Sequence, residues 1–60
     1  MIVTEREQKI VAKYAEFIGA DRVVFFPSPW NEWVNVNFLS DCNEVIDETS
    51  VRMLVECYGL

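Results

Sequence analysis

At 60 residues the chain has room for a single domain over residues 1–60 and no second. It is 52% apolar and 25% charged, the balance of a folded globular chain, which sets it apart from the disordered class. Lys and Arg number 5 against 10 Asp and Glu, and a net charge of −5 argues against direct binding to nucleic acid or an anionic membrane.

The charge is unevenly placed. Up to Arg22, the bases Arg6, Lys9, Lys13 and Arg22 balance Glu5, Glu7, Glu16 and Asp21. From Val23 onward only Arg52 opposes Glu32, Asp41, Glu44, Asp47, Glu48 and Glu56, so the C-terminal part holds the negative excess.

A helix is expected first. Thr4 and Glu7 match the S/T-x-x-E capping box. Ile10, Val11, Tyr14, Ala15, Phe17 and Ile18 recur at helical spacing as one apolar stripe, opposite Glu5, Lys9, Lys13 and Glu16. Glu5 and Lys9 stand in the favourable i,i+4 order, and Gly19 suits the left-handed position that stops a helix.

Arg22 to Phe26 reads as a strand rich in β-branched and aromatic residues, ended by Pro27. Val23-Val24-Phe25-Phe26 loads both faces of that strand, more apolar surface than so short a chain can cover. Trp33 to Leu39 is the second strand. Val34, Val36 and Phe38 face one way, while Asn35 and Asn37 face the other, a solvated or edge surface, beside Trp33 and Leu39. The intervening loop suits an antiparallel hairpin.

Ser40 to Glu44 is a polar turn. Asp47 is the expected N-cap of a last helix, with Glu48 in its first turn and paired to Arg52, and Gly59 at its end. Val51, Leu54, Val55 and Tyr58 have helical spacing, although the same stretch also alternates as a strand does. The expected fold class is therefore α+β in the order α-β-β-α, with α-β-β-β as the alternative.

The chemistry-bearing residues are few. The chain has no histidine, which removes the commonest general base and metal ligand. Cys42 lies beside Asp41 and near Glu44, a setting that disfavours a thiolate, and two cysteines alone fall short of a zinc site. An EF-hand loop begun at Asp41 puts Ile46 where glycine is required and Arg52 where the bidentate glutamate belongs. There is no glycine-rich phosphate loop, and a domain this small offers little cavity for a pair of catalytic carboxylates. No enzymatic activity, metal or cofactor is expected.

The opening residues Met1 to Glu7 turn polar at once, which reads as no secretory leader, and no apolar run approaches the roughly 18 residues of a membrane span. The expected compartment is the reducing cytoplasm, with Cys42 and Cys57 as free, mostly buried thiols that label slowly in the native state. Without a disulfide, self-association is the expected source of additional stability.

The aromatic loop is the expected contact surface. Phe26, Pro29, Trp30, Glu32 and Trp33 cluster in sequence, and tryptophan is over-represented among binding hot spots. Trp33 and Trp30 can equally close a small core. Glu44, Asp47 and Glu48 would complete the partner-binding surface, with Val24 and Phe26 forming a homodimer interface. The expectation is a non-enzymatic protein–protein interaction domain that pairs with itself and with an unidentified protein. In size and charge the chain resembles the small acidic inhibitor proteins carried by bacterial viruses. That resemblance implies the alternative, an acidic phosphate mimic occupying the basic cleft of a nucleic-acid-binding protein.

Overall fold

The structure, a computed structural model, describes residues 2–59; Met1 and Leu60, the expected domain bounds, lie outside them. It is an α+β domain in the order α1 (Glu5–Ile18), β1 (Arg22–Pro27), β2 (Val34–Leu39), β3 (Val45–Ser50) and α2 (Val51–Tyr58). The strands form one antiparallel sheet in the order β1-β2-β3.

Helix α1 forms where its signals stand. The Thr4 hydroxyl accepts from the Glu7 amide at 3.2 Å, and the Glu7 carboxylate accepts from the Thr4 amide at 2.9 Å. Gly19 ends the helix at φ 78°, while the Ala20 amide donates back to the Ala15 carbonyl at 2.8 Å. Val11 and Ala15 are buried on the inward stripe. Phe17, expected on that stripe, is 83% exposed, because at 100° per residue it lies about 140° around the helix from the midpoint of Val11 and Ala15, toward the outer face.

The hairpin of β1 and β2 also forms, with Val24 opposite Asn37 and Phe26 opposite Asn35. Val36 and Phe38 are fully buried, and Val23, Phe25 and Val34 pack against them on the same face. Val11 and Ala15 of α1 and Val51 and Leu54 of α2 join this cluster. Both helices therefore cover one side of the sheet, and the other side is left open.

The C-terminal part differs from both expected orders. Val45–Ser50 is a third strand, and the helix begins only at Val51. Val45, Ile46 and Thr49 are β-branched, and β2 offers an unpaired edge on that side; pairing there outweighs the local helix signals. Thus β2 is the central strand, not an edge. The N-cap is Ser50, whose hydroxyl accepts from the Met53 amide at 3.2 Å, and not Asp47. Glu48 consequently lies in β3 rather than in a first helical turn, and Arg52 pairs with Glu56 at 3.2 Å instead of with Glu48. Beyond Phe38 opposite Asp47, the register shifts to Leu39 opposite Val45, leaving Ile46 as an unmatched residue in β3.

The thiols are unpaired as expected, but both are exposed rather than buried. Cys42 sits in the polar β2–β3 turn, and Cys57 falls outside the Val51, Leu54, Val55 and Tyr58 stripe of α2. Native protein should thus react with a thiol reagent about as fast as unfolded chain. Replacing both by serine should change stability by no more than about 0.5 kcal/mol. Slow native labelling, accelerated by denaturant, would contradict this placement.

Candidate functional site

The β1–β2 loop is shaped by its own polar residues. The Ser28 amide donates to the Trp33 carbonyl at 2.9 Å and closes the base. Within it, the Ser28 hydroxyl accepts from the Trp30 amide at 3.2 Å, and the Asn31 side chain accepts from the Trp33 amide at 2.8 Å. These short-range bonds carry Trp30 to the surface, where it is 89% exposed. Trp30 is not a core residue. Pro29 and Glu32 are exposed beside it.

Trp33 takes a different position. Its ring lies 5.0 Å from the guanidinium carbon of Arg52, whose Nε is held by Glu56. This contact draws the end of the loop toward the first turn of α2. Trp33, Val34, Val51 and Val55 line an open groove of about 410 Å³ there, together with Ile2 and Val3.

The open face of the sheet carries Val24, 45% exposed, and the half-buried Phe26, with Asn37 and Asn35 opposite them on β2. Glu48 lies beyond Asn37 on β3. The face is thus apolar toward β1 and polar toward β3. The Asn37 side-chain oxygen is buried and accepts no hydrogen bond among the described residues.

The expected site residues come together only in part. Phe26, Pro29, Trp30, Glu32 and Trp33 belong to one end of the sheet. Glu44 is in the β2–β3 turn at the opposite end, where its amide donates to the Ser40 hydroxyl at 3.2 Å. Glu48 faces the open side, and Asp47 turns inward to the helices. The three acids do not form one surface with the loop, because alternation along β3 sends neighbouring side chains to opposite faces.

Asp47 reveals a constellation that sequence reasoning missed. The Tyr14 hydroxyl donates to Asp47 Oδ2, while Asp47 Oδ1 accepts from the Glu48 amide at 2.8 Å. The Tyr14 ring packs edge-on against Phe38 at 5.0 Å and lies 5.6 Å from the Tyr58 ring. The Asp47 hydrogen bond, with partial burial and the nearby charges of Asp47 and Tyr58, pushes the Tyr14 phenol up to about 12. Beside this pair, Ile10, Lys13, Tyr14, Phe17 and Tyr58 line a second groove of about 330 Å³ between the helices. Tyr14 and Phe17 at i,i+3 on α1 hinted at an aromatic flank; the contribution of Tyr58 depends on how the helices pack.

Among the described residues, no group of three or more Cys, Asp or Glu converges on a point where a metal ion could be held. No helix among them is long and apolar enough to cross a membrane. Compared with protein-family models, with curated proteins and with solved structures, the chain finds no match.

Proposed function

We propose that this chain is a small, acidic, non-enzymatic interaction domain of the cytoplasm that pairs with a second copy of itself through its sheet and holds the Trp30 loop ready for a protein partner. The observation that carries this reading is the one-sided placement of the helices. Val11, Ala15, Val51 and Leu54 all pack on the Val36–Phe38 face, leaving Val24 and Phe26 on a face that no element covers. Pairing two such faces removes this apolar surface from water, the dominant driving force in association, and pairing two edges shields the part of it where side chains meet across the seam. The unpaired, exposed thiols fit a reducing compartment. The acids lend no support to a phosphate mimic: Asp47 turns to the helices, Glu48 lies on the open face, Glu44 sits in the β2–β3 turn, and Glu56 is paired with Arg52.

Sedimentation at micromolar concentration is the test, with a dimer as the expected result. Val24→Lys should weaken that dimer by about 2 kcal/mol or more, roughly thirtyfold in Kd, by setting like charges near each other in the contact. Because Val24 is 45% exposed, the variant should keep its fold, as circular dichroism would show. A wild-type chain that remains monomeric and folded at high concentration would refute the reading.

A further inference from the structure

The sheet has two edges, and they are unlike each other. The β3 edge is interrupted at Ile46 and carries Asp47 and Glu48, so pairing it with its own copy sets acids near acids in a chain of net charge −5. Within β1, by contrast, Val23-Val24-Phe25-Phe26 has no charge and no bulge.

The hydrogen-bond phase of β1 settles which groups its edge presents. Ser28 continues the β1–β2 register opposite Trp33, and its amide donates to the Trp33 carbonyl at 2.9 Å. At the other end, the Asp21 amide donates to the Leu39 carbonyl at 2.9 Å although Leu39 is the partner of Arg22, so the alternation breaks before Val23, and the phase within Val23–Phe26 follows from Ser28. Alternation then directs the amides and carbonyls of Val24 and Phe26 toward β2, and those of Val23 and Phe25 away from the sheet. Pro27, which has no amide hydrogen, falls on the outward phase, where its missing donor costs the β1–β2 ladder nothing.

We propose that the free edge of β1 pairs antiparallel with the same edge of a second copy, about a two-fold axis at Val24, joining the two sheets into one. This inference rests on the self-association proposed above and specifies the part of the sheet that carries it. In this register, Val23 of each copy exchanges both backbone bonds with Phe25 of the other, so every outward donor on the two residues finds an acceptor. Moving the axis to Phe25 puts Val23 opposite Pro27 and leaves the Val23 carbonyl without a donor. Main-chain bonds also supply affinity that flat area does not. Six residues per strand in a 3-stranded sheet give a face of roughly 300 Å², against about 800 Å² per partner in a standard interface. The merged sheet brings Val24 and Phe26 of both copies side by side on one continuous open face.

Two measurements test the edge and its register. In a Cys42→Ser, Cys57→Ser background, Val24→Cys should form an intermolecular disulfide under mild oxidation. Directly opposed residues of a non-hydrogen-bonded pair have Cα atoms about 4.5 Å apart, within the range a disulfide spans. At micromolar protein it should crosslink roughly a hundredfold faster than Met53→Cys, since the dimer replaces collision with an effective concentration near millimolar. Met53 is comparably exposed, at 47%, but lies on α2. Separately, a chemically synthesised chain N-methylated at Phe25 should be monomeric with unchanged circular dichroism, because that amide has no partner inside the monomer.

An N-methylated chain that stays dimeric overturns the edge, even if Val24→Cys crosslinks, because stacking face to face also gathers Val24. A dimer lost on N-methylation, with no preferential crosslinking at Val24, overturns the register. In both cases the wild-type dimer leaves self-association standing. A wild-type monomer overturns both proposals.

Discussion

Phe38→Ala should leave the chain without a cooperative folding transition at room temperature. Phe38 is 0% exposed on the central strand and meets the edge of the Tyr14 ring at 5.0 Å. It lies in the cluster where α1, β2 and α2 meet, so no neighbouring element can collapse into the space without leaving another contact. Truncating a buried phenylalanine costs about 3–5 kcal/mol. At about 0.05–0.15 kcal/mol per residue, a chain of 60 residues has roughly 3–9 kcal/mol in all. The cost and the reserve are of the same size, and the variant unfolds. Thermal and denaturant scans by circular dichroism would check this. A retained transition weakened by less than about 2 kcal/mol would mean that the core is not organised around Phe38.

Tyr14→Phe should cost about 1.5 kcal/mol, the lower end for a hydrogen bond to a charged group, because both partners are only partly buried. The pH dependence identifies the bond. The Tyr14 phenol is raised from its ordinary 10 to about 12 in the folded chain, so the folded state holds this proton more tightly than the unfolded state does. Its contribution is fully present below pH 10 and is lost as the pH rises to about 12. Denaturant midpoints should fall over that window in the wild type, and the part of the fall due to this group should disappear in Tyr14→Phe. Phenolate absorbance should show one tyrosine titrating late, and Asp47→Ala should bring it back toward its ordinary value. A double-mutant cycle of Tyr14→Phe and Asp47→Ala should give a coupling of about 1 kcal/mol or more, and additive losses would place the two groups out of contact.

Much of the candidate site was legible because its signals are local. The Ser28 and Asn31 side chains each act on an amide two residues away, so a loop that exposes Trp30 follows from the stretch between Pro27 and Trp33 itself. The position of Trp33 did not follow, because it depends on Arg52, distant in sequence and brought near by the turn from β3 into α2. Nor did the dispersal of Glu44, Asp47 and Glu48. Adjacent acids in sequence look like one patch, whereas a strand separates neighbours onto its two faces.

The sequence by itself determined the first helix, the hairpin and the α+β class. The Thr4–Glu7 box, the Gly19 stop, the Val34-Val36-Phe38 alternation and the helical spacing of Val51, Leu54, Val55 and Tyr58 each act over a few residues. Only the tertiary structure decided where the last strand ends and the last helix begins. Asp47 and Ser50 are both competent caps, and Val45 to Ser50 suits either state. The choice fell to the free edge of β2, which pairs Thr49 with Val36 and turns Asp47 toward the Tyr14 hydroxyl, leaving Ser50 as the cap. Local propensities differ by tenths of a kcal/mol, and a ladder of hydrogen bonds together with a partly buried hydrogen bond from a phenol to a carboxylate outweighs them.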